Sequence, residues 1–281
     1  MSRRSTWWVA ALLLAASTAG LDAQTSWREI TRSRQISGES NLDLDVRYGA
    51  GELRIRPGSP GTLYRMQLRY DEDIFAPVAE YETGRLRIGV EGVEGRVPVR
   101  RESLGGSLDL ELATGIPMEV NLVLGAVRAD VDLGGVSMTE LRLQTGASET
   151  RLDVSTPNPT RLRRASFEAG AAAFTASRLG NLNTDHIEVS AGVGSVTLEL
   201  DGDWQRDATV EVHMGLGSLE LRIPEGLGVR LVRETVLTSL DPEGLIKRGD
   251  AYYSPDWERA QRRVTVDVDA AFGSIKVVWL H

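Results

Sequence analysis

Val210-Glu211-Val212-His213-Met214-Gly215-Leu216-Gly217-Ser218-Leu219-Glu220-Leu221-Arg222-Ile223-Pro224-Glu225-Gly226 holds two alternating runs that meet at a glycine. Before Gly217 the apolar residues fall on even positions: Val210, Val212, Met214 and Leu216. After it they fall on odd ones: Leu219, Leu221 and Ile223. Period two means strand with one buried face. A change of phase would turn the second run's apolar side to solvent unless the backbone turns or bulges at the junction. Glycine permits that turn because it reaches positive φ without steric cost. The stretch therefore reads as two strands joined through a glycine corner, both facing one core.

The unit recurs. Leu42, Leu44, Val46 and Tyr48 precede Gly49-Ala50-Gly51, and Leu53 and Ile55 follow in the other phase. Val120, Leu122 and Leu124 precede Gly125; Leu141 and Leu143 precede Gly146; Phe167 and Ala169 precede Gly170. Ile187, Val189, Ala191 and Val193 precede Gly194, and Val264 to Ala270 precede Gly273. Taken at Gly125, Gly146, Gly170, Gly194 and Gly217, the glycines are spaced 21, 24, 24 and 23 residues apart. Such a period marks a solenoid, in which each unit buries its apolar face only against its neighbours. An antiparallel sandwich also shows short strands at regular spacing. The solenoid is preferred because the glycine and its phase change sit at the same point of each unit. The expected fold is all-β: a single-stranded β-helix (β-solenoid) of strand-Gly-strand units stacked in parallel about 4.8 Å apart.

Two regions break the period. Residues 60–101 are irregular but strand-like and read as an N-terminal cap, since solenoid ends must be protected. Residues 227–263 read as an insertion with a turn at Leu240-Asp241-Pro242-Glu243-Gly244 and an aromatic loop at Tyr252-Tyr253-Ser254-Pro255-Asp256-Trp257. Residues 24–40 are polar and read as a loose or edge segment. The expected organisation is a signal peptide over 1–23, an N-terminal part over 24–112 and the repeat solenoid over 113–281, continuous with it.

Arg3 and Arg4, the apolar run Trp7 to Ala16 and the small residues Ser17 to Ala23 have the order of an export signal. The apolar run is about ten residues, too short for the roughly 20 that span a bilayer. The expected location is periplasmic, cell-surface or secreted, with no membrane span after cleavage. A net charge of −8 and a pI near 5.1 argue against a nucleic-acid partner. With no cysteine, disulfides, thiolate chemistry and cysteine zinc sites are excluded.

No catalytic constellation emerges. The three histidines, His186, His213 and His281, share no metal-ligand spacing. Glu188, Glu199, Glu211, Glu220, Asp153, Asp267 and Asp269 fall on the outward phase. Interleaved with Arg142, Arg151, Arg163, Arg164 and Arg222, they read as a solvated, ion-paired face. Stacked acids also suit calcium or a glycosidase, with His213 or Arg222 as participants, but the calcium nonapeptide of β-rolls is missing. Ser107, Ser195, Ser218 and Ser274 recur beside the glycines and read as corner residues. No cofactor and no metal are expected. The candidate ligand-binding residues are Tyr252, Tyr253 and Trp257, because aromatic faces stack on sugar rings or on a partner protein. The same rings equally suit covering the open end of the core beside Trp279.

Val46-Arg47-Tyr48-Gly49-Ala50-Gly51-Glu52-Leu53-Arg54-Ile55, with Arg69-Tyr70-Asp71 and Ala76-Pro77-Val78, resembles the N-terminal region of bacterial toast-rack proteins. The later Gly-Ser-Leu-Glu-Leu copies, and Lys247-Arg248-Gly249-Asp250 through Gly273-Ser274-Ile275-Lys276-Val277, are similar to LiaF-type cell-wall-active antibiotic response proteins and related candidate adhesin domains. The resemblance implies a β-solenoid-like envelope domain with no catalytic residues to carry over. LiaF-type members carry membrane helices ahead of this domain and repress a sensor kinase; here an export signal stands in their place. The expected function is a non-enzymatic exported binding or scaffold module, its partner an envelope protein or cell-wall glycan. A surface adhesin and a polysaccharide-active β-helix enzyme are the alternatives.

Overall fold

Alternating side chains put every second residue of a strand on one face, and here those residues stack into continuous inward columns. The computed structural model describes residues 26–93 and 105–280. The export-signal reading over residues 1–23 and His281 lie outside the described residues. The strands are β1 (Trp27–Gln35), β2 (Leu42–Pro57), β3 (Thr62–Asp71), β4 (Phe75–Glu82), β5 (Arg85–Gly92), β6 (Ser107–Leu112), β7 (Met118–Asp132) and β8 (Met138–Thr145). They continue as β9 (Glu149–Asp153), β10 (Ala165–Ser177), β11 (His186–Glu199), β12 (Ala208–Pro224), β13 (Gly228–Asp241), β14 (Ile246–Arg248), β15 (Ala251–Tyr253) and β16 (Arg263–Leu280).

The rungs β2, β7, β8 with β9, β10, β11, β12, β16 and β13 pair in parallel and in register. Parallel stacking of consecutive units is the expected β-solenoid, and it excludes the sandwich. Val46, Leu122, Leu143, Phe167, Val189, Val212 and Val268 form one inward column on the first limb of the coil. Leu53, Ala129, Thr150, Phe174, Val196, Leu219 and Ile275 form its counterpart on the second limb. All are buried. Phe167 and Phe174 meet across the interior with ring centroids 5.5 Å apart.

A third wall is built from the loops that lead from one rung to the next. Leu133, Val136, Leu179, Leu182, Leu200 and Trp204 are buried there. Their backbones cannot use a regular ladder, so side-chain amides substitute for it. Asn158, fully buried, accepts from the Met138 and Thr160 amides and donates to the Met138 and Leu182 carbonyls. Asn181 donates to the Val154 carbonyl and accepts from the Asp203 amide.

The corners differ from the sequence reading in one respect. Each full corner has two glycine positions, which form separate columns. Gly49, Gly125, Gly146, Gly170, Gly192 and Gly215 stack in the first; Gly194, Gly217 and Gly273 stack in the second, over Ala172. The spacing of 24 from Gly170 to Gly194 therefore joined two columns; the true step is to Gly192. Between the columns the backbone is already out of phase. Leu216 and Val193, which the alternation assigned to the core, are each 52% exposed.

The ends are built differently from each other. At the N-terminal end β5 and β6 form a split first rung on the outer side of β2. β4 covers β5, while β3 and then β1 cover β6, all antiparallel. β3, β4 and β5 are the expected cap over residues 60–93, with residues 27–35 as its edge strand; the rest of that reading, residues 94–101, lies outside the described residues. At the other end, β16 lies between β12 and β13. Residues 228–241, read as part of an insertion, are thus the outermost rung. Thr238 takes the glycine position and half-buried Arg233 takes an inward one, aligned with Val268. β15 covers only Arg230–Val232, and β14 pairs with β15.

Gly194 has φ +141°, and a Cβ there would lie 1.9 Å from the Ala172 carbonyl oxygen. Gly194→Val is expected to lower unfolding free energy by about 3 kcal/mol or more in chemical denaturation. Gly49→Ala, where a Cβ meets nothing within 4 Å, is expected to stay within about 0.5 kcal/mol. Asn158→Ala removes four hydrogen bonds in a buried wall, leaving the Met138 amide only its bond to the Val136 carbonyl, and is expected to cost about 2–4 kcal/mol by the same measurement.

Candidate functional site

Two surfaces stand out, one along the coil and one at its end. The first follows from the glycine columns. Because glycine fills the first column from β7 to β12, and only Ala271 follows on β16, an open trough runs along the outside of the coil, with a volume of about 870 Å³. It crosses six rungs, from Val123 on β7 to Asp269 and Ala271 on β16, a length of about 24 Å at strand spacing. Gln144, Glu168, Ser190, His213 and Asp269 stack in register as one wall. Along the far side runs the corner row that includes Ala171, Val193, Leu216 and Phe272.

Wall chemistry changes along the trough. Gln144 donates to Glu168 at 3.1 Å. Nearer the C-terminal end Glu211, His213, Glu234, Asp267 and Asp269 surround a smaller hollow of about 240 Å³. His213 points outward, as its position in the strand required, and its Nδ1 lies 3.9 Å from an Asp269 carboxylate oxygen. Among the described residues no group of three or more His, Cys, Asp or Glu is arranged to hold a metal ion.

Elsewhere the outward acids are ion-paired as expected. Arg163 bridges Glu119 at 2.6 Å and Glu140 at 3.0 Å. Arg222 bridges Glu199 at 2.6 Å and Glu220 at 2.7 Å. The hydrogen bond to Glu220, then that to Glu199, pushes the Arg222 guanidinium above its ordinary pKa. This fixes it as a cross-rung tie. Such exposed pairs order side chains more than they stabilise the fold. Ser195, Ser218, Ser274 and Ser239 stack in one column beside the corner, a repeated position and not a single nucleophile.

The second surface contains Tyr252, Tyr253 and Trp257. The turn after β15 brings Trp257 edge to face with Tyr253 at 5.3 Å, while Tyr252 stands apart from that pair and packs against the apolar interior. Each ring also has a cation near its face, Lys247 at 5.8 Å from Tyr252, Arg248 at 5.6 Å from Tyr253 and Arg263 at 5.6 Å from Trp257. Ser254 ties the cluster to the last rung, accepting from the Val229 amide and donating to the Leu227 carbonyl. Trp279 Nε1 donates to the Glu243 carbonyl at 2.8 Å, holding the Pro242–Leu245 turn over the same end. All three rings remain partly exposed. The trough was not anticipated from the sequence, although the recurring pairs Gly192/Gly194 and Gly215/Gly217 carry its signal.

Among solved structures the chain is similar to a candidate cell adhesion protein from Clostridium sporogenes, with 17% identity, a TM-score of 0.47, and 91% of this chain and 100% of that one covered. It is also similar to a candidate adhesin from Bacteroides fragilis, with 12% identity, a TM-score of 0.43 and coverage of 89% and 97%. A candidate lipid binding protein from Parabacteroides distasonis gives 13% identity, a TM-score of 0.35 and coverage of 89% and 96%. No curated relative matches the chain. Residues 22–177, and again 166–222, match the family described as "N-terminal domain of toast_rack, DUF2154". With well over half its length matched, the chain belongs to that toast-rack family.

Proposed function

We propose that the chain is exported and works without catalysis, as a binding or scaffold module of the cell envelope. Its partner is an envelope protein or a cell-wall glycan. The observation that carries this reading is the trough, which is long, open along its side and crosses six rungs. Small-substrate sites enclose most of their ligand in a concave pocket. A lengthwise strip instead offers many contacts to a large partner laid along the coil. Tyr252, Tyr253 and Trp257 add contact surface at one end, where partly exposed rings accept a sugar or an apolar side chain. A surface adhesin would be one form of such a module.

The test uses the purified chain from residue 24 onward, on a glycan array and against envelope extracts. Retention of a glycan or an envelope protein, unchanged in covalent structure, is the expected result; a shortened glycan would overturn the non-enzymatic reading. Trp257→Ala is expected to weaken glycan retention about tenfold with the fold intact. Unchanged retention would remove the aromatic cluster from the contact surface.

A further inference from the structure

The corner row between the two glycine columns faces solvent, and its residues grow along the coil. Early rungs carry Ala50, Ala126 and Ala171. The last four carry Val193, Leu216, Phe272 and Leu237, stacked in register. Their exposures are 52%, 52%, 48% and 68%, and neighbouring Val236 is 78% exposed. The fold does not require this, since alanine serves at the same place in the earlier rungs. Single exposed apolar residues are ordinary, but a contiguous strip marks a contact surface.

Across the trough from this strip, the charge changes too. Glu188, Glu211 and Asp267 stack in one column, and Asp269 and Glu234 in the next. Like charges on directly paired strand positions repel. Among the described residues, the ion pairs that reach these columns are Arg164 to Glu188 at 3.8 Å and His213 to Asp269 at 3.9 Å. Glu211, Asp267 and Glu234 form none. Earlier rungs on the same face have bridging arginines such as Arg163. Apolar exposure and uncompensated acidity therefore rise together toward one end of the coil.

We propose that this end of the corner is a docking strip for a cationic polypeptide segment. Its apolar side chains would cover Val193, Leu216, Phe272 and Leu237, and its flanking Lys or Arg would meet Glu211, Asp267, Asp269 and Glu234. The proposal rests on the reading of the chain as a binding module and names the partner's chemistry. Charge selects the occupant. Anionic lipid surfaces and phosphate polymers are repelled by the acidic columns. A second copy would bring the same carboxylates face to face. A neutral glycan brings no charge to neutralise them.

Two experiments test it. A photo-cross-linking residue replaces Phe272 in the full chain, with Ala126 in the same row as the control, and the adducts formed in the producing cell are identified. The expected adduct at position 272 is a polypeptide segment with Lys or Arg beside apolar residues. Adducts to lipid, to glycan, to a second copy of the chain or to a neutral or acidic segment would overturn the proposal. In the second experiment a short amphipathic leucine–lysine peptide and its leucine–glutamate counterpart are titrated against the chain. Preference for the lysine form, weakened about tenfold by Leu216→Ser and by Glu211→Gln with Asp267→Asn, is expected. Glu29→Gln with Glu82→Gln, at the other end, should leave it unchanged. Equal weakening by both sets of neutralisations, or none by either, would reduce the effect to net charge and sink the strip. A chain that retains glycans yet gives no polypeptide adduct at position 272 keeps the module reading and loses this one.

Discussion

One steric constraint governs this molecule: at the corners of β7, β11, β12 and β16 the backbone of a rung passes so close to the carbonyls of the neighbouring rung that a methyl group does not fit at the glycines. A Cβ on Gly125 would lie 2.1 Å from the Gly49 oxygen, and one on Gly217 would lie 1.8 Å from the Gly194 oxygen. Hydrogen bonding in register sets that closeness, because neighbouring strands sit at a fixed spacing and the turn cannot open without breaking the ladder. Once register is fixed at the corners it propagates along both limbs. Valine then lies over valine and phenylalanine over valine, and the inward columns follow. The asparagines of the third wall do the same service where the chain leaves the ladder.

The ends show how an array manages its exposed backbone. Sheet edges invite pairing with foreign strands and are usually covered, shortened or charged. The N-terminal rung is covered on both limbs by antiparallel strands. The C-terminal rung is covered over three residues by the aromatic hairpin, while Arg233 and Thr238 replace the valine and glycine of the preceding rung. Arg233 turns its guanidinium to the Thr238 carbonyl at 3.3 Å. A polar group thus closes a column that apolar side chains fill everywhere else.

Much of this was legible in the sequence, because alternation and glycine punctuation are local signals that the stack does not override. The rungs through Val46, Leu122, Val189, Val212 and Val268 could be read directly. The glycine columns could not be told apart, since two glycines two residues apart both mark the corner and nothing local says which one stacks on Gly170. That ambiguity assigned Leu216 and Val193 inward. Residues 228–241 were hidden as a rung because Thr238 and Arg233 break the pattern at the two places where it is diagnostic. The cations over Tyr252 and Tyr253 depend on the hairpin between β14 and β15, which spacing alone does not reveal. The acids were visible as a stack but were read as ion-paired throughout, whereas among the described residues the one arginine that reaches these columns pairs with Glu188.

That late return bears on how the array assembles and comes apart. β16 is zipped along both of its edges, to β12 and to β13, although β13 precedes it in the chain. β13 can complete its parallel ladder only once this ribbon is in place, a distant-in-sequence closure of the kind that slows folding. In return, tension applied at the C-terminal side cannot peel away an outermost strand one bond at a time. From Lys276 inward it must break two ladders at once.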